Sequence, residues 1–373
     1  MKAVVFEDVG LPGIHDRAVP SFGAGEVLVK VAATGICGTD RAILLGEFPA
    51  RRGVVLGHEA VGAVTAAGTG TRSVVPGDRV VINPTYHCDR CRPCRRGMPA
   101  HCGAKAGREI GVDRDGTMAE FAVVPERFVH RLPASVSYRR GALVEPLACV
   151  LNNLAAARLR WDDQVLVLGA GPIGALCALV LARRGARVTL AERDQGRVAL
   201  SRQLLPRTVR VLAAAEAAGA GTPDAVIDTT GSLPGDVLGA VAAGGTVVVM
   251  GEKEAGVATL PLRALVTRGI RLVGAGPYRP ADFELAVELA RDLPLEELVT
   301  HVLPLERYAE ALAMLAVAPA GAGRSEAAGA GAGRSEAAGA GAGRSEAAGP
   351  GRSETAGYSA MKVLLAADEG LAP

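Results

Sequence analysis

Short runs of alternating apolar and polar residues, separated by turns, fill roughly the first 150 residues of the chain. Clear examples are EVLVKVAATG at 26–35 and TMAEFAVVP at 117–125. A period of two predicts β-strands with one buried face. Because the runs are short and closely spaced, they predict a compact antiparallel barrel or sandwich.

The rhythm changes after residue 163. A short apolar run at 164–169 leads into a long apolar segment, PIGALCALVLARRGA at 172–186, and then into a second short run at 187–192. Strands that alternate with helices predict a parallel, doubly wound sheet. Two helical segments at 282–293 and 305–316 and a final strand at 361–366 complete the pattern.

A tandem repeat separates the last helical segment from the final strand. The sequence AGAGRSEAAG occurs at 320–329, 330–339 and 340–349, and a decayed copy ends at Gly357. This composition cannot form a packed core, so we interpret 319–357 as an inserted surface loop or an irregular Ala-rich helix. A functional binding tail is the alternative interpretation.

Composition and charge narrow the function. A chain of 373 residues usually forms two domains. Its net charge is only +2, and its lysines and arginines are spread over most of the chain. This argues against a nucleic-acid surface, which needs concentrated positive charge. The longest apolar run, at 175–182, is far below the ~20 residues of a membrane helix. No secretory signal is visible, so we expect a soluble, cytoplasmic protein with no membrane partner and with reduced thiols.

A glycine pattern follows the first strand of the predicted parallel sheet. Gly169, Gly171 and Gly174, with Pro172 and Ile173 between the last two, fit G-x-G-x-x-G where a strand turns into a helix. In that context the small residues let a dinucleotide pyrophosphate approach the helix N-terminus.

An acidic residue follows at the distance expected for a ribose contact. Glu192 lies 18 residues after Gly174, at the end of the next predicted strand. A carboxylate there accepts hydrogen bonds from both adenosine-ribose hydroxyls and repels a 2′-phosphate, which favours NAD. Arg193 follows directly and could hold a 2′-phosphate, so NADP stays possible. The pattern therefore predicts a dinucleotide site in which Glu192 and Arg193 contact the coenzyme.

Two sets of residues have the chemistry of metal sites. Four cysteines with the spacing C-x2-C-x2-C-x7-C predict a closed, structural zinc site, with an iron–sulfur cluster or a redox pair as alternatives: Cys88, Cys91, Cys94 and Cys102. A dispersed set could form an open, catalytic zinc site of three protein ligands plus water: Cys37, His58 with Glu59, and Glu145. Spacing alone does not bring the dispersed set together.

The combination resembles one family. GICGTD at 35–40, GHEAVG at 57–62, PGDRV, the four-cysteine segment, EPLA and GAGPIG occur in the order typical of zinc-dependent medium-chain dehydrogenases/reductases. Glu145 in EPLA stands where the ethanol-oxidising branch has cysteine, and a carboxylate there resembles the polyol, sugar and threonine dehydrogenase branch. The resemblance implies an α/β fold in which a Rossmann domain is inserted in a GroES-like, mainly β catalytic domain. We accordingly expect a catalytic domain at 1–150 with a zinc lobe at about 86–103, a coenzyme domain at 151–276, and a return to the catalytic domain at 277–373.

The resemblance also implies roles for individual residues. Cys37, His58 and Glu145 match the catalytic zinc ligands, and Glu59 matches a ligand that can exchange with water. Asp40 resembles the carboxylate that orients the ligand histidine. Thr39 stands where the family has the hydroxyl that takes the alcohol proton. The histidine that often ends this proton relay is replaced here by Ala42.

The expected function is oxidation of a secondary alcohol to a ketone, or the reverse, with two Zn²⁺ per chain and NAD or NADP. The substrate would be a small polar alcohol such as a polyol, a sugar or an (amino)cyclitol, including compounds of secondary metabolism. Glu109 is a candidate substrate contact, and His301 and Asn153 are weaker ones. The family implies a homodimer or homotetramer. The rivals are an L-threonine 3-dehydrogenase-like enzyme and, from another class, a zinc-ribbon protein that binds nucleic acid.

Overall fold

The computed structural model describes residues 1–233, 236–252, 256–315 and 360–367. The predicted repeat insertion at 319–357 lies outside the described residues. The described part contains these strands: β1 Lys2–Asp8, β2 Leu11–Asp16, β3 Glu26–Gly35, β4 Glu59–Ala67, β5 Arg79–Ile82, β6 Phe121–Pro125, β7 Val129–Arg131, β8 Gln164–Leu168, β9 Arg187–Glu192, β10 Arg210–Ala213, β11 Ala225–Asp228, β12 Thr246–Val249, β13 Arg271–Gly274, β14 Val299–Pro304 and β15 Lys362–Ala366.

Helices connect these strands, and the longer ones lie between residues 144 and 289. They are α1 Gly38–Leu44, α2 Arg92–Arg95, α3 Tyr138–Gly141, α4 Val144–Ala157, α5 Pro172–Arg183, α6 Gln195–Leu204, α7 Val237–Ala240, α8 Leu262–Arg268, α9 Pro280–Leu289 and α10 Tyr308–Met314. Among the described residues no helix is long and apolar enough to cross a membrane.

Strands from the first half of the chain, together with β14 and β15 from its end, form a mixed sheet that is mainly antiparallel. Its strand order is β14-β15-β3-β4-β5-β7, and β6 pairs with β3 on the edge that β15 also uses. The alternation along β3 matches the burial that the sequence predicts, since Val27, Val29 and Val31 are fully buried on one face. β15 pairs antiparallel with β3 through Ala33–Gly35, so the end of the chain returns to the sheet that its beginning builds.

The second half contains the predicted parallel sheet, with the order β10-β9-β8-β11-β12-β13. This is the doubly wound 3-2-1-4-5-6 arrangement, in which the order reverses between β8 and β11. Helix α5 has eight consecutive buried residues, because its apolar side chains are covered by the sheet on one side and by α4 on another. The expected α/β fold class, a Rossmann sheet combined with a GroES-like β domain, is confirmed.

Helix α4 joins the two sheets. It follows the mixed sheet, packs against α5 and α9, and leads into β8. The boundary proposed from the sequence at 150/151 falls inside this helix. The division at 1–150, 151–276 and 277–373 stays a prediction. The packing of α4 matters for the site, because its first turn carries Glu145.

Candidate active site and coenzyme site

Three of the predicted zinc ligands lie together at the end of the mixed sheet. Cys37 directly precedes α1, His58 directly precedes β4, and Glu59 is the first residue of β4. One ligand atom from each of these side chains lies within 4.8 Å of the others. β3 and β4 pair antiparallel with Gly35 opposite Glu59, so two segments far apart in sequence bring Cys37 and His58 to the same place.

A glycine before His58 makes the approach possible. Gly57 has a φ of +88°, and a Cβ there would lie 2.6 Å from Met118 Cγ and 2.9 Å from Met118 N. Any other residue would be strained in its backbone and would clash with a main-chain atom. Glycine is therefore required at the position that leads the chain into His58.

Glu145 approaches this cluster from α4. Its side chain is 8% exposed, and its charge interacts with His58 and Glu59. Burial raises the pKa of Glu145 to about 7, and the charge of Glu59 acts in the same direction. A cation near Glu145 would stabilise its ionised carboxylate and so offset the free-energy cost of burying that charge.

The charge around His58 fits a metal ion. Burial by itself would lower the pKa of His58, but the Cys37 thiol and the buried carboxyl groups of Asp40 and Glu145 raise it well above the usual value. A positive charge at this position is therefore favoured by the groups around it. Thiolate, imidazole and carboxylate are all common zinc ligands, so the residues present fit zinc.

Asp40 braces the loops that carry the ligands. It is fully buried, and its carboxylate accepts hydrogen bonds from the backbone N–H groups of Cys37 at 2.9 Å and Gly57 at 3.1 Å. Its Oδ1 lies 3.9 Å from His58 Nδ1, which is a charge contact and too long for a hydrogen bond. Asp40 therefore positions both ligand segments through the main chain and faces the histidine ring at the same time.

Thr39 lies in the first turn of α1 and is partly exposed. Its Oγ1 is 3.7 Å from Cys37 Sγ. The hydroxyl thus stands beside one residue of the Cys37–His58–Glu59 cluster, and its role as a proton acceptor stays a prediction.

Sequence reasoning missed Lys362, which is 2% exposed on β15. Its Nζ forms an ion pair with Glu59 and donates a hydrogen bond to the carbonyl oxygen of Ile36 at 3.0 Å. The missed signal is a single charged residue inside the otherwise apolar run MKVLLA. A buried charge needs a partner, and here the partner is a predicted metal ligand.

The four-cysteine segment also closes into one cluster. The four sulfur atoms lie within 4.8 Å of one another, with Cys91 Sγ 3.4 Å from Cys94 Sγ and 3.8 Å from Cys102 Sγ. Disulfide bonds are near 2.05 Å, so these are free thiols. Backbone N–H groups of Arg90 and Cys91 lower the pKa of Cys88 to about 6. Four converging sulfurs fit a tetrahedral structural zinc site, and backbone N–H groups lower the pKa of two of the thiols, Cys88 and Cys91.

The glycine loop lies between β8 and α5, at the carboxyl end of the parallel sheet. Gly169 has a φ of +94°, and a Cβ at Gly174 would lie 1.8 Å from the carbonyl oxygen of Gly169. Gly171 is the N-cap of α5, and a Cβ there would meet only Arg197 Nη1, at 3.8 Å. Pro172 and Ile173 form the first turn of α5. The loop therefore offers free helix N–H groups and an open backbone surface at Gly171, as a pyrophosphate requires.

Glu192 ends β9 as expected, but much of its carboxylate is occupied. Its oxygens accept hydrogen bonds from the backbone N–H groups of Ala170, Arg193 and Asp194, at 2.7, 2.7 and 2.9 Å. A carboxylate has about four acceptor sites. One acceptor site of the Glu192 carboxylate therefore stays open. It can accept a hydrogen bond from one ribose hydroxyl, whereas the sequence predicts hydrogen bonds from two. The Arg193 side chain is exposed beside it.

A cavity of about 450 Å³ lies elsewhere on the parallel sheet. It is lined by residues of β8, β9 and β10 and the turn before β9, among them Gln164, Arg187 and Arg210. These three residues begin their strands, at the edge opposite the glycine loop. Ligands of open α/β sheets bind at the carboxyl ends of the strands, so this cavity is not the coenzyme cleft.

The three candidate substrate residues have different surroundings. Glu109 pairs with Lys105 at 3.1 Å through Oε2, whereas its Oε1 is buried with no hydrogen-bond partner among the described residues. Its charge interacts with His58, which places it near the metal cluster. His301 Nδ1 lies 3.0 Å from Thr300 Oγ1 in β14. Asn153 Nδ2 donates to the carbonyl oxygen of Cys149 at 2.9 Å, within α4.

Two family models match the sequence. The Alcohol dehydrogenase GroES-like domain matches residues 23–134, and an FAD binding domain matches 162–230. FAD and NAD both bind to a strand, a glycine-rich turn and a helix, so the second match fits the nucleotide-binding architecture.

Curated relatives extend the match over most of the chain. D-xylulose reductase A from Aspergillus niger is 33% identical over 325 residues, covering 79% of this chain and 89% of the relative. The chain belongs to the zinc-dependent medium-chain dehydrogenase/reductase family. Within that family, the similarity places it in the polyol dehydrogenase branch.

Solved dehydrogenases of this family share the fold over nearly the whole length. A zinc-binding dehydrogenase from Sinorhizobium meliloti, bound to NADP, has a TM-score of 0.79 and 27% identity, with 98% of both chains covered. A cobalt- and zinc-bound thermostable alcohol dehydrogenase from Pyrobaculum aerophilum has a TM-score of 0.78 and 26% identity, with 98% of this chain and 99% of that one covered.

Proposed function

We propose that this chain is a zinc-dependent, NAD(P)-linked oxidoreductase that interconverts a secondary alcohol and a ketone on a polyol, a sugar or an (amino)cyclitol. The observation that carries the proposal is the convergence of Cys37, His58 and Glu59, whose ligand atoms lie within 4.8 Å of one another, with the buried Glu145 near enough to interact with His58 through its charge. Of the named relatives, one is a reductase of the sugar D-xylulose and another is an alcohol dehydrogenase, which supports a substrate of this class. Cys37, His58 and Glu145 would hold the catalytic zinc, and the four-cysteine lobe would hold a second ion.

Each cofactor would supply one part of the chemistry: zinc the Lewis acid that polarises the alcohol oxygen, and nicotinamide the hydride acceptor. The chain's own residues do the remainder. Thr39 Oγ1, beside Cys37, would accept the alcohol proton and pass it on. Because position 42 is alanine, the proton would leave through water, the coenzyme ribose or Glu59 rather than through a histidine at that position.

Glu109 would orient the substrate. Its buried Oε1 has no hydrogen-bond partner among the described residues and lies near His58, whereas Oε2 is already paired with Lys105. Leaving a buried acceptor unsatisfied costs about 1–3 kcal/mol, so a substrate hydroxyl or ammonium that donates to it would be favoured. This supports a hydroxylated or amino-bearing substrate over a simple aliphatic alcohol.

The coenzyme would bind at the carboxyl end of the parallel sheet, with its pyrophosphate on the Gly169–Gly174 turn. Glu192 would contact an adenosine-ribose hydroxyl and disfavour a 2′-phosphate, so NAD is the proposed coenzyme. The reduced thiols that both zinc sites need are compatible with the cytoplasm.

The oligomer would be a homodimer or homotetramer joined through the edge of the parallel sheet. β13 is the last strand of that sheet, and Leu272 on it is 36% exposed. Helix α8 beside it exposes Leu262 and Val266 at 68% and 82%. A strand edge next to exposed apolar side chains is a common site for association between subunits.

Metal analysis tests the proposal. The wild-type protein should contain about two zinc ions per chain, because each cluster has ligands for one ion. Cys37→Ser should retain about one and lose activity. Full activity in that variant would contradict the catalytic site. A substrate panel of polyols, aldoses, cyclitols, aminocyclitols and threonine, assayed by NAD and NADP reduction, then separates the sugar and polyol interpretation from a threonine dehydrogenase.

A further inference from the structure

The side chain of Lys362 reaches across one strand to Glu59. Lys362 lies on β15 and Glu59 begins β4, with β3 between these two strands in the sheet. Gly35 of β3 pairs with Glu59 on one side and with Leu364 of β15 on the other. Paired residues, and residues two positions apart in a strand, share a face of the sheet, so Lys362, Gly35 and Glu59 lie on the same face. The lysine side chain therefore extends over Gly35 toward the carboxylate.

Gly35 makes room for this contact. A Cβ at position 35 would overlap Glu59 Oε2 and would lie 2.8 Å from Lys362 Cε and 3.1 Å from Lys362 Nζ. Any side chain there would occupy the space in which the ammonium group meets the carboxylate. The absence of a side chain at position 35 is therefore part of the geometry that forms the ion pair.

The ion pair is closed off from solvent. The side chains of Lys362 and Glu59 are each 2% exposed, and Lys362 Nζ pairs with Glu59 Oε2. Nζ also donates a hydrogen bond to the carbonyl oxygen of Ile36 at 3.0 Å, which fixes the ammonium group beside the residue that precedes Cys37. A buried carboxylate needs a cation, and here a cation is held next to it by a second contact.

Glu59 also lies within reach of the proposed catalytic metal. One of its oxygens is within 4.8 Å of a ligand atom of Cys37 and of one of His58. If Glu59 joined Cys37, His58 and Glu145, four protein ligands would make a closed site, whereas a catalytic zinc keeps one position open for the alcohol oxygen. Whether Glu59 is held by Lys362 or by the metal would thus decide whether that position is open.

We propose that Lys362 is a positioning residue that holds the Glu59 carboxylate away from the catalytic metal and so keeps one ligand position open for the substrate. This inference rests on the proposed function, in which Cys37, His58 and Glu145 bind zinc. Lys362 contacts neither substrate nor metal in this role, because it acts through Glu59. Without the ammonium group, the buried carboxylate would take the metal as its cation and close the site.

The first test measures zinc release from the fully loaded enzyme to a chromophoric chelator. Lys362→Met removes the charge and keeps most of the length of the side chain. Removing one partner of a buried ion pair leaves a costly unpaired charge, which zinc would stabilise, so we expect catalytic zinc to leave this variant at least about tenfold more slowly. A purely structural role for Lys362 predicts the opposite, since a loosened site releases its metal faster.

Two references accompany this measurement. The zinc of the four-cysteine lobe is an internal reference, because other residues hold it. Lys2→Met is the matched control, since Lys2 forms an ion pair with Glu306 in which both side chains are 49% exposed. Such an exposed pair contributes little, so zinc release from Lys2→Met should equal that of the wild type.

Imidazole binding to the cobalt-substituted enzyme reports the open position directly. We expect imidazole to change the visible spectrum of the wild type and of Lys2→Met, and to leave that of Lys362→Met unchanged, because Glu59 would occupy the position. The double variant Lys362→Met/Glu59→Gln removes both charges of the pair, which is often nearly neutral for stability. It should recover both imidazole binding and the wild-type rate of zinc release.

Slower release and blocked imidazole binding in Lys362→Met, both reversed in the double variant, support the inference. Unchanged or faster release in Lys362→Met overturns it. If Lys362→Met does not fold, the double variant decides: wild-type release supports the inference, and much faster release overturns it, since Glu59 would then already be a ligand. A wild-type protein with zinc in the four-cysteine lobe alone overturns the proposed function as well.

Discussion

Thr39 is the proposed proton acceptor, and it lies beside Cys37 in the first turn of α1. We expect Thr39→Val to lower turnover at least about tenfold, since general acid–base groups contribute roughly 10²–10⁴-fold to rate. The change is close to isosteric, so the zinc content should stay that of the wild type. Steady-state kinetics and metal analysis on the same preparation check this. Near-wild-type turnover would remove Thr39 from the proton path.

Individual residues differ in how far the sequence predicts them. Cys37, His58 and Glu145 are recognisable because each lies in a short motif whose order resembles the family's. Lys362 has no such motif. Its importance arises from burial against Glu59, 303 positions away, which only the folded chain reveals.

At the level of elements, the end of β9 is where we propose that the coenzyme is selected. We expect Glu192→Gln, which keeps the size and removes the charge, to reduce the preference for NAD over NADP by about tenfold, because a charged hydrogen bond contributes about 1.5–3 kcal/mol. The ratio of kcat/KM for the two coenzymes measures this.

Arg193→Ala provides the control for that prediction. Its exposed side chain is the alternative partner for a 2′-phosphate, so this variant should keep its NAD kinetics and lose only residual NADP activity. An unchanged coenzyme ratio in Glu192→Gln would show that the carboxylate serves the glycine loop alone, through its hydrogen bond to the N–H of Ala170.

The elements themselves follow closely from local pattern. The long apolar segment at 172–186 becomes α5, and the runs on either side of it become β8 and β9, because a glycine turn and periodicity act over a few residues. The occupation of Glu192 by three backbone amides could not be predicted. It depends on how the turn after β9 folds back, which sequence spacing does not specify.

Across the whole molecule, the sequence predicts the two kinds of sheet better than their connection. The change from period two to alternating strands and helices indicates both sheets correctly. It does not indicate that β15 pairs with β3 and so delivers Lys362 to Glu59, because that pairing joins residues more than 300 positions apart. Long-range pairings of this kind depend on the assembled core, and the resemblance to a family supplied the expectation that the chain returns.

The proposed association of subunits through the β13 edge of the parallel sheet also concerns the whole molecule. Val266 is 82% exposed on α8 beside the edge strand β13, and a charge placed there would be costly to bury between subunits. We expect the wild type to have the mass of a dimer or tetramer in light scattering, and Val266→Lys to have a lower mass. Val75→Lys is the control, since Val75 is 53% exposed in the turn before β5 of the mixed sheet. A monomeric wild type, or a Val266→Lys variant with the mass of the wild type, would contradict association through this edge. If the dissociated variant keeps the melting temperature of the wild type, each subunit folds without its neighbour.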